Sequence, residues 1–475
     1  MDNDISILDP GYMVGGTEIE AQNALLPCLV TLDVKEGAYG WKPSVYVEKF
    51  EQRDGTHYGF TLKPGFKWSN GFGELTAEDV KYSYERIKTT DWKGNFEALD
   101  HVELTDKYSG TLVLAQPYAP FGVAALTSGG SAILCKAAMT KLEGEKFTTE
   151  FPATCGPYLL EWTPKQKLAF RPNPDWTGPK PAFAEVDALI ISEPSAAELA
   201  YEAGELDATL ITAATHARYK EELPENSAIQ IAGSLQYMWL GMNTENPKLA
   251  DIRVRQAVQH AVDATQVIQG AYAGITEESN GIICPGLLGH RTATKYTFDP
   301  EKAKALLAEA GVSGLELELK TLNEQERILA SQIIQAQLQA VGITVKVLPQ
   351  DSGPFWEMGD QSKGDGYKTL ELWLMRFGTN PDPQEATQWF TSDQVGVWNW
   401  ERWKSDEYDS LYKQGLSETD PEKRAVIYLR MQEIMEDTGA YVWINHESET
   451  YVHRTNVGIS VLPSGEMQLR DFTKA

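Results

Sequence analysis

With 475 residues, 42% of them hydrophobic and 23% charged, the chain has ordinary globular proportions, so wholesale disorder is excluded and the length calls for more than one hydrophobic core. A formal net charge of −26 repels phosphate backbones and anionic lipid heads, which argues against nucleic acid and membrane surfaces as partners and fits a soluble monomer. No apolar run approaches the ~20 residues of a membrane span.

In chain order, the stretch Ile5 to Leu32 has a strand-like start, followed by Asp9-Pro10-Gly11 and a flexible Gly15-Gly16-Thr17-Glu18. A helical pattern then runs through Ala21, Ala24, Leu25 and Val30. Glycines opening a helix leave backbone N–H groups free for a ligand carboxylate or hydroxyl, although a plain loop before a helix is the commoner meaning. The stretch Phe60 to Val80 reads as a strand, a turn and a capped helix. Asn70-Gly71 can take the positive φ angles of a type I′ turn, and Thr76 with Asp79 has capping-box form. Short strands are expected at Tyr58–Leu62 and Thr111–Leu114, with a bend at Pro117 to Phe121. Farther on, Ser195 with Glu198 reads as a second capping box, Gly204 ends that helix, and Asp207 to Ile211 is extended.

Gln236 to Met242 is an aromatic strand ending at Asn243, and a helix follows with Val254, Ala257, Val258, Ala261 and Val262 on one face. Asp299-Pro300 caps a helix whose buried face is Ala303, Leu306, Leu307 and Ala310, closed by Gly311. Leu315, Leu317 and Leu319 alternate as a strand, Ile328 to Leu338 is a helix ended by Gly342, and Ile343, Val345 and Val347 form the next strand. That β-α-β order requires a parallel pair and a right-handed crossover. Asp420-Pro421 begins one more helix through Ile427, Met431 and Ile434.

The motifs of familiar catalysts are absent: there is no H-E-x-x-H, G-x-S-x-G, Walker loop or G-x-G-x-x-G. The seven histidines show no i, i+4 pairing, so no metal and no cofactor is expected. Four cysteines (Cys28, Cys135, Cys155, Cys284) show no C-x-x-C spacing. They are either buried free thiols or one or two disulfides, Cys135 with Cys155 flanking one short excursion. Aromatic density is high late in the chain, where Trp373, Trp389, Phe390, Trp398, Trp400 and Trp403 lie beside Arg376, Asn380, Asp382, Asn399 and Arg402. Any single tryptophan there is more often core than contact, but interleaved Asn and Arg are costly to bury without partners, which marks the cluster as a candidate binding surface.

Phe60-Thr61-Leu62-Lys63-Pro64-Gly65, Trp68-Ser69-Asn70-Gly71 and Leu75-Thr76-Ala77-Glu78-Asp79-Val80 together resemble the signature of the extracellular solute-binding proteins of family 5, the dipeptide/oligopeptide type of ABC importer receptor. Cys155-Gly156-Pro157-Tyr158 and the strand ending at Asn243 before Arg253-Val254-Arg255-Gln256-Ala257 carry the likeness onward. The resemblance implies an α/β, two-lobe periplasmic-binding-protein fold of the large type, with the ligand cleft between the lobes. Lobe I would take 1–242 and 447–475, including an outer subdomain at 45–150, and lobe II 243–446, with crossings near Gly241–Thr244 and Asn445–Glu447. It implies a periplasmic receptor, not an enzyme, that closes on a small molecule and delivers it to the transmembrane subunits of an ABC permease. Since Met1 leads straight into Asp2-Asn3-Asp4, it further implies that a natural export segment was removed and Met1 added.

Family members usually carry, shortly before the acidic-Pro pair, an aspartate that holds a peptide's α-ammonium group. Thr379 stands at that place here, with Asp382 or Glu18 as substitutes. That departure and the tryptophans favour an oligosaccharide or a sugar conjugate such as an opine, with di- and oligopeptides as the alternative and a carbohydrate-active hydrolase as a reading from another class. The candidate ligand contacts are Gly16, Thr17, Glu18, Tyr237, Trp239, Arg376, Thr379, Asn380, Trp398, Asn399 and Trp400. Arg376 is suited to a ligand carboxylate.

Overall fold

The computed structural model describes residues 1, 3–13, 15–35 and 37–474, the side chain of residue 234 excepted. The chain forms two compact units, one of residues 1–232 and 449–475 and the other of residues 233–448. The chain passes from one unit to the other inside two long strands, β11 (Ser227–Met242) and β16 (Tyr441–Arg454). The expectation placed these passages at 242 and 446.

The first unit opens with helix α1 (Gly16–Leu25) and the hairpin β1 (Val30–Lys35) and β2 (Ala38–Pro43). Val30 begins a strand rather than extending the helix, because the chain turns at Leu26-Pro27 and a proline cannot continue the ladder. Residues 3–8 form no strand; Ile5 and Leu8 are buried as irregular chain. A four-stranded antiparallel sheet follows, ordered β3 (Val47–Gln52), β4 (His57–Leu62), β6 (Ser109–Leu114), β5 (Leu99–Leu104). Between β4 and β5 sits α2 (Ala77–Ile87), entered as its sequence requires: Asn70 and Gly71 both have positive φ, and Thr76 with Asp79 closes a capping box. The Asp79 carboxylate also accepts from Trp68 Nε1 at 3.3 Å and from Lys136 N at 2.9 Å, where the short α3 (Lys136–Met139) begins. Buried residues of 45–150 join those of α1 and of β7 (Tyr158–Thr163) and β8 (Lys167–Pro172) in one continuous core. Gly156 is needed at that junction, since a Cβ there would lie 2.3 Å from the Ala24 carbonyl oxygen.

The unit continues with β9 (Val186–Leu189), α4 (Pro194–Glu202), β10 (Ala208–Leu210) and α5 (Ala213–Glu221). The expected capping box at Ser195 does not form. Helix α4 starts one residue earlier, at Pro194, and the Glu198 carboxylate reaches forward instead to Thr212 N and Thr215 Oγ1, each at 2.7 Å, anchoring α5. All four cysteines are free thiols, so the Cys135–Cys155 pairing is not present. Burial pushes the Cys135 thiol up to about 11, which suits an inert core thiol.

The second unit contains α6 (Ile252–Ala261), α7 (Ala264–Ala271), the short β12 (Glu277–Glu278), α8 (Pro300–Glu309), β13 (Leu315–Leu322), α9 (Gln325–Ala340) and β14 (Ile343–Gln350). Strands β13 and β14 are parallel, Leu315 opposite Ile343, as the β-α-β pattern requires. On α8, Ala303 and Leu307 are buried while Leu306 and Ala310 are half-buried. After α10 (Ser352–Glu357) and α11 (Gly366–Thr369) comes β15 (Leu372–Gly378), parallel to β13 and antiparallel to residues 236–242 of β11. Helices α12 (Pro383–Gln388), α13 (Asp406–Ser417) and α14 (Pro421–Asp437) complete the unit. No helix among the described residues is long and apolar enough to cross a membrane.

Candidate functional site

The pairing of β11 with β15 sorts the candidate residues by face. Tyr237 lies opposite Phe377, Trp239 opposite Met375 and Met238 opposite Arg376. Alternation then puts Tyr237, Trp239, Trp373 and Phe377 on one face, and Met238, Leu240, Leu374 and Arg376 on the other. Arg376 and the aromatic residues therefore occupy opposite sides of one strand.

On the Arg376 face, Glu447 Oε2 accepts from Arg376 Nη1 at 2.8 Å, and Glu447 Oε1 faces Arg327 Nη2 at 2.8 Å. Arg327 is 3% exposed and Arg376 38% exposed. The first is therefore structural, and the second can still offer N–H groups to a ligand. Burial pulls the Glu447 carboxyl up, but the two guanidinium groups outweigh it and hold it below the ordinary carboxylate range.

The aromatic face divides into core and rim. Trp239 stacks on Tyr237 at 5.5 Å and donates its indole N–H to Glu401 Oε1 at 2.8 Å, and both rings are buried. Trp400 is 1% exposed, packs edge-on against Trp373 at 6.0 Å and donates to the Val397 carbonyl. Asn399 spends its amide on the carbonyls of Phe390 and Trp403. Gly241 is fixed by this packing, because a Cβ there would lie 2.4 Å from the Trp373 indole and 2.7 Å from Glu401 Oε1. Tyr237, Trp239, Asn399 and Trp400 thus frame the region from inside. Trp398 differs: it is half-buried, and its ring lies 5.9 Å from Phe377, 6.0 Å from Trp389 and 6.4 Å from Trp356.

The loop after β15 carries the remaining candidates. Thr379 is buried and its hydroxyl turns to the Asn380 carbonyl at 3.3 Å. Half-buried Asn380 accepts from Asp382 N through Oδ1 and donates its backbone N–H to Glu385 Oε2 at 2.6 Å. Asp382 is 1% exposed and engaged by both guanidinium nitrogens of Arg424, so it is not available to a ligand. In the first unit, Gly16 is exposed at the first turn of α1, where no side chain caps the helix. Thr17 donates to the Asn3 carbonyl, and the buried Glu18 carboxylate accepts from Ser6 N and Ser6 Oγ at 2.8 and 2.9 Å.

Four residues escape a reading of the sequence. Trp356 arrives from α10 beside a single aromatic neighbour, and Arg327 and Glu447 stand among other charges (Glu324, Glu326 and Glu449) on a helix and a strand. Only Glu385 leaves a trace, standing four positions before Trp389 and so one helical turn from it.

The comparisons with known proteins bear on this geometry. The family described as "Bacterial extracellular solute-binding proteins, family 5 Middle" matches residues 41–398. An Escherichia coli (strain K12) protein named as a probable D,D-dipeptide-binding periplasmic protein is 28% identical over 405 residues, covering 82% of this chain and 76% of its own. The dipeptide-binding protein of the same strain is 27% identical, covering 84% and 80%. The crystal structure of an ABC transporter substrate-binding protein from Listeria monocytogenes superposes with a TM-score of 0.86 at 20% identity, over 100% of this chain and 98% of the other. With three quarters of its length matched by the family and its α/β fold shared with solved binding proteins, the chain belongs to the bacterial extracellular solute-binding proteins of family 5.

Proposed function

We propose that this protein is the periplasmic binding component of an ABC importer for di- or oligopeptides. The observation that carries the reading is the match, over more than four fifths of the chain, to two proteins named for dipeptide binding. It displaces the sugar-conjugate ligand expected from the tryptophans: the deepest of these rings are fully buried, and the relatives named here give oligosaccharides no support. In this reading the protein performs no covalent chemistry, needs no cofactor, acts as a monomer and passes its ligand unaltered to the permease's transmembrane subunits.

Arg376 takes the ligand carboxylate. Glu447 holds one of its nitrogens from behind, which fixes the planar fork and leaves the other N–H groups for a charge-assisted pair. Asn380 and Trp398 supply adjacent contacts, Thr379 shapes the loop backbone, and Tyr237, Trp239, Asn399 and Trp400 hold the frame. Taken by itself, the first unit leaves Gly16 exposed at the first turn of α1, which Thr17 and Glu18 hold in place. Thermal unfolding in the presence of free di- and tripeptides, the same peptides amidated at the C-terminus, and oligosaccharides tests this. A free peptide at a hundred times its Kd should stabilise by ~2.7 kcal/mol, with amidation weakening the response. A response confined to oligosaccharides, or turnover of any of them, would overturn the reading.

A further inference from the structure

Three tryptophans from three separate segments converge on Phe377 at the end of β15. The Trp356 ring lies 6.3 Å from Phe377 and nearly parallel to it, Trp389 sits 6.3 Å away, and Trp398 5.9 Å away and edge-on. All three are half-buried, unlike Trp239, Trp373 and Trp400 behind them. The indole N–H groups differ as well, Trp373 excepted, whose buried Nε1 also lacks an acceptor among the described residues. Trp239, Trp400 and Trp403 donate theirs inside the unit, whereas among the described residues no protein acceptor takes those of Trp356, Trp389 or Trp398. Such rings present faces whose π electrons attract a cation.

Glu385 lies one turn before Trp389 on the same side of α12, half-buried, with Oε2 accepting from Asn380 N. No Lys, Arg or His forms an ion pair with it among the described residues, in contrast to Asp382 with Arg424 and Glu447 with its two arginines. Burial pushes the Glu385 carboxyl up to about 7, partly opposed by the Asn380 N–H, and no positive charge among the described residues acts on it. An acid desolvated without a counter-ion among the described residues, one helical turn from a half-buried ring, is an arrangement that a cationic group completes.

We propose that Glu385 together with Trp356, Trp389 and Trp398 forms the subsite for a cationic group of the ligand, a primary ammonium or a guanidinium. This rests on the peptide reading above and adds to it a second charge-specific contact, at the far face of β15 from Arg376. The cation enters the aromatic rim, hydrogen-bonds the free oxygen of Glu385 and keeps that carboxyl ionised. The source is either the peptide's own N-terminus or a lysine or arginine side chain.

The test has two arms. In the first, calorimetric titration uses a panel of di- to tetrapeptides, their N-acetylated forms, and forms with lysine replaced by norleucine. For whichever peptide binds, removing its cation should weaken affinity about tenfold or more, and Glu385→Gln should cost the same and abolish the difference. Acetylation sensitivity assigns the N-terminus, norleucine sensitivity the side chain. The glutamine amide oxygen can still accept from Asn380 N, so this variant keeps the loop. Peptide binding that ignores both the ligand cation and Glu385 would overturn the subsite and leave the peptide reading standing. The second arm needs no peptide: agmatine, followed by tryptophan fluorescence, should give a saturable change that is lost in Glu385→Gln and in Trp398→Leu, with unchanged circular dichroism in both. A flat wild-type titration would overturn the subsite, and silence toward every peptide alongside a positive agmatine response would overturn the peptide reading alone.

Discussion

Asp382 and Arg424 face each other as a two-pronged pair, Oδ2 to Nη1 at 2.9 Å and Oδ1 to Nη2 at 3.0 Å, with side chains 1% and 5% exposed. The pair ties the loop after β15 to α14, and Asp382 also caps α12 through Gln384 N. Removing one partner strands a buried charge. Asp382→Asn should therefore lower stability by about 3–5 kcal/mol, read as a shifted denaturant midpoint, whereas Asp382→Asn with Arg424→Met should recover much of the loss. An unshifted midpoint in the single variant would place the pair outside the folding framework of this unit.

Arg376 shares Glu447 with Arg327, and the two arginines should separate by readout. Arg327 is almost wholly buried, so Arg327→Met leaves Glu447 under-compensated inside the unit and should cost about 3 kcal/mol or more of stability. Arg376→Met keeps the Arg327–Glu447 pair and should change stability little. Its effect belongs to binding: affinity for a free peptide should fall about tenfold to a hundredfold, while affinity for the C-amidated peptide stays as in the parent. Equal losses for both peptides would mean that Arg376 does not meet the carboxylate.

Trp398 and Trp400, two positions apart, should behave as different kinds of residue. Trp400 is closed in by Trp373 and Phe355, and Trp400→Ala should cost about 3–5 kcal/mol of stability. Trp398 is half-open, and Trp398→Ala should keep the fold while weakening ligand binding by about tenfold. If Trp398→Ala unfolds the unit as readily as Trp400→Ala, the rim is core and carries no ligand.

Local chemistry wrote much of this fold into the chain. Thr76 with Asp79, Asp299-Pro300 and Gly342 each act within a few residues, and each does what its sequence requires. Ser195 with Glu198 has the same letters, but a proline one position earlier starts the helix, and Thr212 and Thr215, more than a dozen residues on, take the carboxylate. The candidate site shows the same division. Aromatic density after residue 370 was visible, yet which rings face inward depends on the register of β15 against β11, a pairing across more than a hundred residues. The carboxylates illustrate it further: Asp382 and Glu18 look available in sequence and are occupied in space, while Glu385, inconspicuous in sequence, has no cation partner among the described residues.

Glu401 gives the unit a pH dependence whose sign is fixed. It is fully buried behind Gly241, and burial pushes its carboxyl from 4.5 up to about 8, with the Trp239 indole N–H opposing. The folded state therefore keeps a proton that the unfolded chain has lost. Stability from this group is complete below the unfolded value of 4.5 and is lost as pH rises through about 8. Glu385 acts in the same direction up to about 7. His446, buried and held down to about 3 from 6.5, acts in the opposite one: its contribution is present above 6.5 and lost as pH falls. Glu401→Gln cannot lose a proton, so it isolates the first effect. Denaturant unfolding at about pH 5 and about pH 8.5 should show the parent losing on the order of a few kcal/mol more than the variant across that interval. Parallel curves for the two proteins would show that Glu401 does not hold its proton in the fold, and the Trp239–Glu401 contact would then be that of an ionised carboxylate.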